Sequence, residues 1–212
     1  DVRTAFAVFS VCALLFITSC KQREEPREDQ ATAISTVNQK DYLSLAISMD
    51  TLSSAGYKRT VYREDSLLSL TPGSNANPFF HYFRAKRYIL EKQRDSALAE
   101  YKKMAVKNGD TETELLMTYS LLDNGTGNNA TVESATMNEI LAATQKAEKN
   151  NSRITYRFYD LMAKAYYQNN NGKASLEYAE RYYKSHPFKS HPVIRQRYYD
   201  ISFMLAQMLG LQ

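Results

Sequence analysis

Lys173-Ala174-Ser175-Leu176-Glu177-Tyr178-Ala179-Glu180 decides how this chain folds, because it stands at fixed distances from small and aromatic residues on both sides. Counting from Tyr166, the small Ala163 lies three residues before, Ser175 nine after, Ala179 four further on, Tyr182 three beyond that and Pro187 five later. The same figure surrounds Tyr88, with Ala85 three before it, Ala97 nine after, Tyr101 four further on and Met104 three further again. Asp95-Ser96-Ala97-Leu98-Ala99-Glu100-Tyr101 takes the place that residues 173–180 hold in the other copy. Steps of three and four gather side chains on one helix face. Each figure therefore reads as two helices, with small residues where they cross closely and large ones filling the gaps beside the crossing.

Two weaker copies extend the pattern. Leu116 and Tyr119 take the small and aromatic positions of a third first-helix, and its second helix runs from about Glu133 to Glu148 through Ile140, Leu141, Ala143 and Ala147. Asp123 to Thr131, rich in Asn and Gly, reads as an inserted loop between them. Ala206 and Leu209 mark a fourth first-helix within Ile201–Leu211. These offsets resemble the tetratricopeptide repeat, and the resemblance implies an all-α, right-handed solenoid of antiparallel helix hairpins over residues 78–212. The key positions 88, 119, 166 and 209 are unevenly spaced, whereas the family keeps a period of about 34 residues, so a related helical-hairpin solenoid stays open beside the strict repeat. The last repeat stops before a second helix can cover Phe203, Met204, Leu205, Met208 and Leu209, which leads to the expectation that the sequence is a piece of a longer chain.

Composition agrees with helix. With 43% hydrophobic residues but only 7 Gly and 5 Pro, the chain has too little punctuation for a sandwich of short strands. The 27 basic and 23 acidic residues are interspersed and leave a net charge of +4, without the basic stripe that nucleic acid would require.

The N-terminus reads as a targeting segment. An apolar run from Thr4 to Ile17 is too short to span a bilayer and fits the hydrophobic part of an export signal. Ile17-Thr18-Ser19-Cys20 resembles the lipobox of bacterial lipoproteins, which implies a signal peptide over residues 1–19, cleavage before Cys20 and acylation of the Cys20 thiol. Palmitate or a similar chain would then hold the protein at a membrane of the bacterial cell envelope, expected to be the outer membrane. Two or three acyl chains make such anchoring permanent. Residues 20–38 form a polar tether, and Lys21 to Glu25 resemble the surface-export signals of some Bacteroidetes lipoproteins. Asp1 is not a methionine and Arg3 alone precedes the apolar run, so the start of the gene is expected to be missing. Cys12 leaves with the signal and Cys20 is consumed by lipid, which leaves no thiol for a disulfide or a metal cluster.

Residues 39–72 read as an N-terminal helical hairpin. Asp41 supplies an N-cap for a helix carrying Leu43, Ala46, Ile47 and Leu52, Gly56 stops it, and a second helix with Val61, Leu67, Leu68 and Leu70 ends before Thr71-Pro72-Gly73-Ser74-Asn75.

Catalytic constellations are missing: the sequence holds no Gly-rich phosphate loop, nucleophile elbow or His-Glu-x-x-His pair, and neither enzyme activity nor a cofactor is expected. Ser185-His186-Pro187-Phe188-Lys189-Ser190-His191-Pro192 places two histidines five apart between helix-breaking prolines, which reads as an inter-repeat turn rather than a metal site. Sixteen tyrosines invite a stacking role, but Tyr88, Tyr101, Tyr166 and Tyr182 fall on packing positions.

In tetratricopeptide arrays the first helices line a groove that receives a peptide or partner helix. Carried over by offset, that face comprises Tyr82, Lys86 and Ile89 in one repeat and Arg157, Asp160, Lys164 and Tyr167 in another, extended by Phe203 and Gln207. Lysines and an arginine among aromatics suit an acidic or C-terminal carboxylate segment. The expected partner is thus a protein or peptide, met by a lipid-anchored scaffold in the envelope. The alternative is the extracytoplasmic sensory region of a longer transmembrane transcriptional regulator or histidine kinase; the glycan-binding lipoproteins that contain such repeats fit poorly, being much longer.

Overall fold

The computed structural model describes residues 41–104, 110–126 and 131–210, apart from the side chains of Met204 and Met208. The chain divides into Asp1–Gln39 and Lys40–Gln212, and all described residues belong to the second unit. The export segment, Cys20 and the tether lie outside them. Among the described residues every regular element is a helix, and none is long and apolar enough to cross a membrane.

The first helix, α1 (Tyr42–Ser48), begins on Asp41, whose carboxylate accepts from the Ser44 N–H at 2.9 Å, and tightens into one 3-10 turn, Met49–Thr51. Helix α2 (Ser54–Leu70) follows almost at once, because Ser53 Oγ accepts from the Gly56 N–H at 3.2 Å and caps it. Gly56 therefore sits inside α2 and does not stop α1; extended backbone at Leu52 does. Leu70 faces solvent, while Val61 and Leu68 are fully buried. A buried carboxylate on α2 fastens it to its neighbour: Asp65 takes Arg87 at 2.6 Å and Arg84 at 3.4 Å, both from α3 (Pro78–Leu90).

Asn77-Pro78 opens α3 with a side-chain cap and a proline in its first turn, and His191-Pro192 opens the last helix in the same way. Between them lie α4 (Arg94–Lys102), α5 (Thr111–Thr126), α6 (Ser134–Lys149), α7 (Thr155–Gln168) and α8 (Gly172–Ser185), and α9 spans Pro192–Met208. Two boundaries differ from the sequence reading. Helix α5 runs on through Asp123, Asn124 and Gly125, because Thr126 Oγ1 donates back to Leu122 O at 3.1 Å. Helix α9 starts well before Ile201, at the proline that reads as a turn.

The tight turns after α3, α6 and α7 share one geometry. Gln93 N–H reaches back to Tyr88 O (2.8 Å), Ser152 N–H to Ala147 O (3.0 Å) and Asn171 N–H to Tyr166 O (2.9 Å). The residue before each donor, Lys92, Asn151 or Asn170, has a positive φ near 50–60°. This is the six-to-one closure of a Schellman motif, which needs one left-handed residue. Tyr88 and Tyr166 thus hold equivalent places, as their offsets require.

From α2 onward each helix packs against the next in sequence, and α5 also touches α7. The crossings use the small residues picked out by spacing: Ala97 and Ser175 are buried, and Ser175 Oγ donates to Ala163 O at 2.8 Å across the α7–α8 contact. Ala163, Ala179 and Leu205 form one core cluster joining α7, α8 and α9. The α3–α4 pair is pinned by His81, whose ring meets Glu100 at 2.8 Å and Asn75 O at 3.1 Å.

Candidate functional site

Helix α7 carries Arg157, Asp160, Lys164 and Tyr167 on one stripe, and the structure divides that stripe in two. Its N-terminal half is closed by the chain itself. Arg157 is 6% exposed: Nη2 donates to both Asp50 oxygens at 3.1 Å and to Ala46 O at 2.6 Å, and Nε donates to Tyr156 Oη at 3.1 Å. Tyr156 Oη in turn donates to Asp50. The α1 segment thus lies on α7, and its Tyr42 ring stacks on Phe79 and meets Phe83 edge-on, both on α3. Tyr42, Ala46, Ile47 and Met49 are buried there.

Several residues read as an open groove face are therefore interior. Tyr82 is 2% exposed, packed edge-on against Phe83, and cannot meet a ligand. Lys86 is half-buried, its Nζ 5.4 Å from the Tyr82 ring centre and 5.9 Å from that of Tyr101, with no carboxylate within ion-pair distance among the described residues. Ile89, Phe203 and Gln207 are exposed but belong to other surfaces. The offsets place these residues on helix faces; they carry no information about a distant segment of the same chain that covers them.

The C-terminal half of the stripe lines a cleft of about 460 Å³ bounded by α5, α7, α8 and α9. Asp160, Lys164 and Tyr167 are brought together there. Asp160, 5% exposed, accepts from Lys164 Nζ at 2.8 Å and from Arg197 Nη2 at 3.1 Å; Lys164 also reaches Asp123 at 3.4 Å. Burial alone would raise the Asp160 carboxyl, but the cations of Lys164 and Arg197 hold it below the ordinary carboxylate value. Burial likewise would lower Lys164, and Asp160 beside it raises it well above the usual lysine range. Both groups are charged over the whole physiological range.

Sequence reasoning missed the opposite wall. Asp123 and Thr126 come from the part of α5 that reads as a loop, and Arg197, Asp200 and Ile201 from the start of α9. Stepping back from Phe203 by three and then three more reaches Asp200 and Arg197, so the His191-Pro192 cap held the signal. Gln168, one turn after Lys164, also lines the cleft; its amide nitrogen donates to Thr126 O at 2.9 Å.

The two histidines of residues 185–192 serve the backbone. His186 Nδ1 accepts from Phe188 N–H at 3.0 Å and His191 Nδ1 from Val193 N–H at 3.3 Å. Among the described residues no group of three His, Cys, Asp or Glu side chains is placed to hold a metal ion. No family model, curated protein or solved structure matches this chain.

Proposed function

We propose that this chain is a lipid-anchored helical-repeat protein of the bacterial cell envelope that holds a protein or peptide ligand in the cleft between α5, α7, α8 and α9. The observation that carries this reading is the cleft itself: about 460 Å³, within the range of small-ligand sites, with Ala163, Ile201, Leu205 and the Tyr167 ring set among charged and polar side chains. Its position supports it further. The cleft is lined mainly by the alternate helices α5, α7 and α9 of an array whose turns repeat after Tyr88 and Tyr166, and first helices line the binding face of a right-handed tetratricopeptide-like solenoid in the same way. Tyr167, 43% exposed beside the charged groups, offers a ring against which a chain can lie.

Two experiments test the two parts. Filling the cleft with Ile201→Trp should lower retention of a bound peptide or protein at least tenfold while the helical circular dichroism stays unchanged; equal retention would place binding elsewhere. For the anchor, mass spectrometry of the mature N-terminus should find acylated Cys20, and Cys20→Ala should release the protein from membranes. An unmodified terminus refutes the anchor and leaves the cleft untouched.

A further inference from the structure

We infer that the group this cleft takes from its ligand is a cation, the ammonium or guanidinium of a basic peptide side chain, and not the acidic segment that the lysines and arginine of the stripe suggest; the inference rests on the cleft being a peptide site. Charge in the cleft is unevenly paired. The two cations of the cleft already have carboxylate partners: Lys164 and Arg197 both bond Asp160, and Lys164 also bonds Asp123. An incoming carboxylate would meet cations whose charge Asp160 and Asp123 already offset, in a lining that is formally negative. Arg157, the third cation of the stripe, is committed to Asp50 and Ala46.

The acceptors are not spent. Asp200 lines the cleft, makes no ion pair among the described residues and accepts only from Gln196 Nε2 at 2.8 Å. Asp123 has only the 3.4 Å contact with Lys164. Formally the lining holds three carboxylates against two cations. The second observation is independent of these carboxylates. Gln168 Nε2 donates to Thr126 O, which fixes the amide so that Oε1 turns the other way, and Oε1 is buried with no hydrogen-bond partner. A ligand N–H that reaches this oxygen would satisfy an acceptor that the fold leaves unpaired. The unmet demand of the cleft is therefore for donors and positive charge, and the exposed Tyr167 ring adds a face that attracts a cation.

The test uses three N-acetylated, C-amidated Gly/Ser pentapeptides that differ only at the centre, with lysine, norleucine or glutamate, titrated into residues 20–212 by NMR at low salt. The lysine peptide should bind at least tenfold more tightly than the glutamate peptide, shift the Gln168 side-chain amide resonances, and weaken several-fold on raising salt. Asp200→Asn and Gln168→Met should each weaken it at least fivefold, while the norleucine peptide responds to neither. Tighter binding of the glutamate peptide, lost in Ile201→Trp, would overturn the cation and leave the peptide site standing. Lysine-peptide binding unaffected by Asp200→Asn, Gln168→Met and Ile201→Trp would move the interaction away from the cleft and overturn both. Binding of none of the three at millimolar concentration would refute the peptide site itself.

Discussion

Arg157 has four acceptors around one guanidinium, and its removal would leave Ala46 O without this donor and Asp50 without its cation, held by Tyr156 alone on that side. Breaking a buried pair by deleting one partner typically costs 3–5 kcal/mol, so Arg157→Met should lower stability by about that much in urea melts. Lys86→Glu should also cost more than a surface change does, since it removes a cation from over the Tyr82 and Tyr101 rings. His186 gives a second test at this scale. Burial holds its ring at a pKa of about 4 against 6.5 when free, a difference worth about 3 kcal/mol between protonation states. The folded state prefers the neutral ring, so the unfolded chain takes the proton first as pH falls. Stability contributed by His186 is present above pH 6.5, declines through the interval and is gone near pH 4. Unfolding free energy measured across that window should fall less steeply in His186→Asn, by up to one proton's worth; identical slopes would show that the ring titrates normally. That Arg157 and Asp160 share a face was legible from spacing. Their burial was not, because Asp50 lies 107 residues from Arg157 in sequence.

At the scale of elements, the two clear copies show why spacing could be read. Ala97 and Ala163 are buried at helix crossings, Ala163 at the edge of the cleft, and Ala→Leu at either should cost on the order of 1–3 kcal/mol by overpacking, against little for a substitution at exposed Lys102. Equal losses at all three in denaturant melts would mean that the crossings are loose. Helix pairs were legible where an aromatic, a small residue and a turn of fixed geometry recur, as around Tyr88 and Tyr166. Boundaries were less so. Gly125 and Gly56 look like breakers, but each is tolerated in a helix because a neighbouring hydroxyl satisfies the local backbone, Thr126 for one and Ser53 for the other. The wall of the cleft opposite α7 was lost with those boundaries, since Asp123 lies in a stretch that reads as a loop and Arg197 ahead of the helix that reads as starting at Ile201.

For the molecule as a whole, the α1 segment and its 3-10 turn join elements that sequential packing alone would leave apart, touching α3, α7 and α9. Burying Tyr42, Ile47 and Met49 is worth roughly 1.5–3 kcal/mol each, comparable in sum with the 5–15 kcal/mol that holds a typical domain together. A chain beginning at Ser53 should therefore lose its cooperative thermal transition and become sensitive to protease between α3 and α7. An unchanged transition in calorimetry would show that the array stands without the segment. The same long connection sets a clock. Asp50 is made early and Arg157 emerges 107 residues later, an interval of about 5–20 s at ordinary rates of synthesis. Tyr42 can meet Phe79 and Phe83 as soon as α3 is made, but the side of the segment that Arg157 closes stays open throughout, so a nascent chain of this protein carries an exposed sticky end until its seventh helix arrives.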